Sequence, residues 1–208
     1  MVTVDGLPEP TDAELRLMCA AGATRGAAFC SLLGSAEQQD WLDAALHLVW
    51  RAAAGEDVAD ECADTLDTLV DEDPVWQSED PTSLPAFYAD QAVGLVGEAL
   101  AMSVRPTGER LDTVLTTVRS LLSMVDFKLS GEKPVIVRAG APKPPSGPLV
   151  EKETEAEQHL VAILAETRST GDPTSGMPEA VEARKSALMF ASDVTPYLEE
   201  FAQANNWR

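Results

Sequence analysis

Apolar side chains recur at spacings of three and four residues along most of the chain, a period that predicts helices almost throughout. Thr11 followed by Glu14 has the pattern of a capping box. It opens a first helix over about residues 12 to 33 that carries Leu15, Leu17, Met18, Ala21 and Ala28 and stops at Gly34. Ser35 with Gln38 repeats the pattern ahead of Trp41, Leu42, Ala45, Leu46, Leu48, Val49 and Ala53, a second helix closing at Gly55. A third helix over about 57 to 70 turns Val58, Cys62, Leu66, Leu69 and Val70 inward and carries Asp60, Asp64, Asp67 and Asp71 along another face.

Pro74 and Pro81 interrupt residues 71 to 83 as an acidic loop containing Trp76. Ser83 is the expected cap of a fourth helix, with Pro85 in its first turn and Phe87, Tyr88, Ala92, Val93, Leu95, Val96, Ala99, Leu100 and Met102 following. Gly94 and Gly97 each cost such a helix about 1 kcal/mol relative to alanine, which predicts a close helix crossing at both. Thr107 opens a fifth helix with the cleanest 3.6-residue period, through Leu111, Val114, Leu115, Val118, Leu121, Leu122, Val125 and Leu129. Residues 131 to 148, with five prolines and with Lys133, Arg138 and Lys143, read as a long crossing loop, and Val135 to Val137 as a short extended piece. The sixth helix is expected over 150 to 169, with Leu160, Val161, Ile163 and Leu164 buried. A seventh starts near Pro178, kinks or restarts at Thr195 and Pro196, and ends at Trp207. The expected fold is all-α: a single domain of 208 residues, built as a compact bundle of about seven helices with the Pro-rich loop crossing between the fifth and the sixth.

Charge changes this picture most. Between Arg51 and Arg105 there is no lysine, arginine or histidine, and the first hundred residues hold 20 acidic and 3 basic side chains within a chain of net charge -20. The phosphate backbone of a nucleic acid is repelled by such a surface, so DNA or RNA binding is not expected. The start, MVTVDGLPEPTDAEL, has neither a basic nor an apolar leader segment, and no apolar run reaches the length of a membrane span, so a cytoplasmic location is expected. Cys19, Cys30 and Cys62 have no CxxC spacing and no neighbouring cation, so they are expected to be small core residues.

The ordered run of Cys30, the segments ALHLVWR at 45 to 51 and FYADQAVGLVGEAL at 87 to 100, the helix at 107 to 129 and VEKETEAEQHLVAILAET at 150 to 167 resembles the YjaG-like family of small bacterial helical proteins. The resemblance runs from about residue 15 to 190 and implies an all-α fold. It carries over no catalytic residue.

Candidate chemistry is sparse. Asp43 with His47 and Glu155 with His159 stand at i, i+4, a spacing that places a carboxylate and an imidazole on one helix face. Neither histidine has the glutamate three residues earlier that a di-metal bundle uses, and His47 among Leu46, Leu48 and Val49 is expected to be buried. With no phosphate-cradling loop and no nucleophile elbow, no catalytic residue, cofactor site or metal site is assigned. The acidic face remains: Asp57, Asp60, Glu61, Asp64, Asp67, Asp71, Glu72, Asp73, Glu79 and Asp80, with Trp76 as an aromatic anchor, suit a basic protein partner. The leading expectation is an immunity or inhibitor protein that covers the cleft of a basic toxin or enzyme. The alternatives are a helical scaffold or homo-dimer paired through its fifth and seventh helices, and a metal-dependent hydrolase using His47 and His159.

Overall fold

Both expected capping boxes form: the Thr11 hydroxyl accepts from the Glu14 amide while the Glu14 carboxylate accepts from the Thr11 amide, and Ser35 and Gln38 do the same. The computed structural model describes residues 9–69, 80–131, 145–170 and 176–207. Its helices are α1 (Asp12–Gly26), α2 (Ala28–Leu33), α3 (Ala36–Ala53), α4 (Ala59–Asp67), α5 (Pro85–Val104), α6 (Gly108–Ser130), α7 (Pro148–Thr170) and α8 (Gly176–Ala204). A single 3-10 turn, Pro81–Ser83, precedes α5, and no strand occurs among the described residues. Taking α1 and α2 as one helix interrupted at Ala27, the described residues form the expected all-helical bundle of seven.

Helix α1 occupies the centre, with every residue from Leu17 to Gly26 buried; these are small or apolar side chains except for Thr24 and Arg25. It packs against α3, α5, α6 and α8, while α5 lies against α1, α2, α3, α4 and α6. Small residues set the spacing. A methyl group added at Gly22 would come within 2.8 Å of Val114 Cγ1, and one at Gly26 would overlap Leu95 and press on Val118, so α6 and α5 approach the α1 backbone itself. The close crossings therefore lie at Gly22 and Gly26. Of the two glycines expected to mark one, Gly97 does meet Leu69 and Leu66, but Gly94 faces open space and corrects that expectation.

Several local expectations are corrected. The α4 helix is shorter than 57 to 70, running from Ala59 to Asp67. Ser83 does not cap α5: its hydroxyl donates to the Asp80 carbonyl inside the 3-10 turn, and the N-cap is Leu84, with Pro85 in the first turn. Helix α8 does not restart at Pro196; it continues through it, with the Thr195 hydroxyl donating to the Ala191 carbonyl at 2.8 Å. Val161 and Ile163 are only partly buried, because the α7 stripe that meets the core is Leu149, Glu153, Leu160 and Leu164. The greater part of the Pro-rich loop, including Val135 to Val137, lies outside the described residues. Where the chain re-enters at α7, the Asp126 carboxylate of α6 accepts from the Leu149 and Val150 amides and caps the helix from outside.

An aromatic cluster of Phe29, Phe87, Tyr88, Phe201 and Trp207 closes one end, with Tyr88 5.2 Å from Phe201 and 5.4 Å from Trp207 between ring centroids. The Trp207 indole donates to the Ser83 carbonyl and the Tyr88 hydroxyl to the Thr82 carbonyl, which ties the end of the chain to the turn before α5. Burial pushes the Tyr88 phenol up to about 12. All of these helices share one cluster of buried side chains.

Candidate functional site

Helix α4 is amphipathic in the simplest way. Cys62 is buried on one side, and Asp60, Asp64 and Asp67 are exposed at spacings of four and three on the other, with exposed Asp57 just before them. Trp41 of α3 donates to the Thr68 hydroxyl at 3.1 Å, and α4 packs along α5, so the helix that carries these carboxylates is held from behind. Glu61 stands apart from the row. Arg51 donates to it at 2.7 Å and to Glu56 at 2.8 Å, so one guanidinium is shared between two carboxylates and its own protonation is strengthened by both.

The acidic residues of the first half thus separate into two kinds. Glu56 and Glu61 share Arg51, Glu98 takes Arg110 at 2.6 Å, and Asp90 accepts from the Gln38 amide at 2.8 Å. Asp57, Asp60, Asp64 and Asp67 make no salt bridge among the described residues. Asp80 is exposed and accepts from the Thr82 hydroxyl. Asp71, Glu72, Asp73, Trp76 and Glu79, expected on the same surface, lie outside the described residues. Among the described residues, four of the expected contact residues thus lie exposed without an ion pair, while Glu61, also exposed, is paired with Arg51.

His47 is placed differently from expectation. His47 is exposed on α3 with Asp43, because the inward side of that helix is filled by Leu42, Ala45, Val49 and Trp50; His159 is exposed on α7 with Glu155. No group of three or more His, Cys, Asp or Glu side chains converges to hold a metal among the described residues. All three cysteines are free and fully buried, and burial pushes the Cys19 thiol up to about 12 and the Cys30 thiol up to about 11. A buried neutral thiol is a poor nucleophile.

What sequence reasoning missed lies inside the bundle. Arg25, in the last turn of α1, donates three hydrogen bonds of 2.7 to 3.0 Å to the Glu153 carboxylate of α7, and both side chains are shut off from water. The Phe190 ring of α8 lies 5.9 Å from the guanidinium carbon on a third side. One turn further along α7, Glu157 is paired in the same bidentate manner with Arg119 of α6. Burial pushes the Glu153 carboxyl up from its ordinary range, and the Arg25 guanidinium opposes that rise. Beside this pair, the Thr24 hydroxyl accepts from the Trp50 indole at 2.9 Å and donates to the Ala20 carbonyl. The sequence did hold a signal. Glu153 sits where the apolar period of α7 asks for a hydrophobic residue, and Arg25 is the lone charge in a run of alanines and glycines.

No helix among the described residues is long and apolar enough to cross a membrane. No family model, curated protein or solved structure matches the chain.

Proposed function

We propose that this protein is a binding module that docks a basic protein surface with the outward face of α4, in its most concrete form an immunity or inhibitor protein that covers the cleft of a cationic toxin or enzyme. The observation that carries this reading is the row Asp57, Asp60, Asp64 and Asp67, exposed on one side and without an internal counter-ion among the described residues. Like charges at i, i+4 cost an exposed helix about 0.2–0.5 kcal/mol per pair. A cationic partner surface relieves that repulsion, and the relief appears mainly as a faster encounter and as choice of partner. The acidic segment leading up to Asp80 extends the same sign of charge along the chain.

The reading as a metal-dependent hydrolase gains no support, since His47 and His159 sit exposed on different helices. Self-association through both expected helices is also narrowed: the apolar face of α6, from Leu111 to Val125, is buried within the chain. The test is affinity capture from cells of the source organism with the native protein and with Asp60→Lys, Asp64→Lys, Asp67→Lys combined, followed by on-rate measurements with the recovered partner at low and high salt. A basic partner is expected, with an on-rate that falls at least about tenfold in the triple variant and falls again with salt. An equal on-rate for both proteins, or a partner without a basic surface, overturns the reading.

A further inference from the structure

The outer face of α8 is the other unusual surface. Ala183, Ala187, Phe190, Val194, Leu198 and Phe201 turn into the core, and directly opposite them Val181, Leu188 and Met189 are 66 %, 53 % and 58 % exposed. At 100° per residue, Val181, Lys185, Leu188, Ser192, Pro196 and Glu199 form one stripe along the outside, with Met189 on its edge. The stripe is cationic at its start, where Arg184 and Lys185 are exposed, and anionic at its end, at exposed Glu199. Lys185 has only a 4.0 Å approach to Glu182, both of them exposed.

We propose that two copies of this chain pair through this stripe, antiparallel, about a two-fold axis passing close to Ser192. The proposal is independent of the acidic face of α4. Charge order along the helix selects the occupant. When the stripe is laid against itself in the opposite direction, Lys185 and Arg184 of one copy come opposite the partner's Glu199, and symmetry makes the same contact twice. The apolar residues then fall between the charged ends: Leu188 against the partner's Pro196, Met189 near the partner's Thr195, and the small Ser192 at the axis, where the two backbones come closest. A parallel arrangement would set like charges against like. The seam is a single helix pair and lies at the small end of specific interfaces, so association is expected in the micromolar range.

The experiment is sedimentation equilibrium of the full chain over about 5 to 500 µM in moderate salt. The mass is expected to rise from 22.2 kDa toward twice that value across this range. Leu188→Glu with Met189→Glu is expected to stay monomeric, and because both positions are exposed, its circular dichroism and melting temperature serve as the control for folding. Lys185→Glu is expected to weaken association at least about tenfold, and adding Glu199→Lys to it to restore most of the loss, since the pair is then re-formed with reversed polarity. A native chain that stays monomeric throughout, a different protein seated on α8 in place of a second copy, a dimer unaffected by the Leu188 and Met189 changes, or a Lys185→Glu loss that Glu199→Lys does not repair each overturns the proposal. The Asp60, Asp64, Asp67 triple variant is expected to dimerise like the native chain, and loss of its dimer would equally overturn this pairing without bearing on the encounter with a basic partner.

Discussion

Replacing Glu153 by glutamine keeps the size and shape of the side chain but leaves the Arg25 guanidinium, a charge without water contact, facing a neutral amide. Removing one partner of a buried ion pair costs about 3–5 kcal/mol, because the remaining charge loses its compensation. The Arg25 and Glu153 side chains are 2 % and 0 % exposed, so solvent cannot take over that role. Against a total stability of roughly 5–15 kcal/mol for a domain, this is a large fraction, and urea unfolding of Glu153→Gln should show the midpoint displaced accordingly. Arg25→Met should behave differently, since the abandoned carboxyl can take up a proton. Its folded pKa, already raised above 4.5 by burial, then loses the opposing influence of Arg25 and rises further. Between the unfolded value and that raised value the folded chain binds more protons than the unfolded one, so the stability of Arg25→Met should increase as pH falls through that window. Glu153→Gln has no such group and should show no comparable gain. Arg25→Met with Glu153→Leu together should recover most of the loss, giving a coupling energy of at least about 2 kcal/mol in the double-mutant cycle. A cost below about 1 kcal/mol for Glu153→Gln would mean that the guanidinium does not depend on the carboxylate, and an Arg25→Met stability that is flat across that pH window would mean that the abandoned carboxyl takes up no proton; either outcome overturns this account of the pair.

Three other outcomes follow from particular contacts. Gly26→Ala should destabilise by about 1–3 kcal/mol, because the new methyl overlaps Leu95 and presses on Val118, whereas Gly94→Ala, with no atom within 4 Å, should stabilise by about 0.5–1 kcal/mol; thermal unfolding of the two variants side by side checks both signs. At Glu14 burial pushes the carboxyl up, but hydrogen bonds from Arg168 and Thr11 outweigh it and leave the pKa below its ordinary 4.5. The stability this group adds is present above the unfolded value and is lost as pH falls through the folded one, so between about pH 5 and pH 3 the urea midpoint of the native chain should drop further than that of Glu14→Gln. Ellman's reagent should label none of Cys19, Cys30 and Cys62 in the folded chain and all three in denaturant; rapid labelling of the native protein would contradict their burial.

What the sequence made legible depended on how local the deciding interaction is. The caps at Thr11, Ser35 and Thr107 join residues three apart, and all three form as expected. The 3.6-residue period of α6 is buried from Leu111 to Val125, because the helix packs against α1, α5, α7 and α8. Where the deciding partner is distant, the reading failed. Gly26 and Gly94 are alike in their own helices and differ only in what crosses them. His47 has apolar neighbours in sequence, yet it stands on the outer side of α3, since i−1 and i+1 on a helix point away from i. Arg25 and Glu153 are 128 positions apart, and no local pattern names one from the other.

That buried pair also changes the meaning of the acidic composition. The first hundred residues hold only three cations, Arg16, Arg25 and Arg51. Arg25 is sealed inside and matched by a carboxylate from the second half of the chain, so it adds nothing to the outward field of the first. Arg51 is shared by Glu56 and Glu61 at the start of the α3–α4 connection and does not reach the row beyond it. Among the described residues, Asp57, Asp60, Asp64 and Asp67 therefore have no paired cation, and mobile ions, whose reach is about 8 Å at physiological ionic strength, screen them. A surface of that kind repels anionic partners at long range and gains most from a cationic one at contact. The salt dependence of the proposed binding at α4 should accordingly be steep, while that of the Arg25–Glu153 pair, closed to water, should be close to zero. Raising sodium chloride from about 0.05 to 0.5 M should therefore leave the coupling energy between Arg25 and Glu153 almost unchanged, and a coupling that fell with salt would show that water and ions reach the pair.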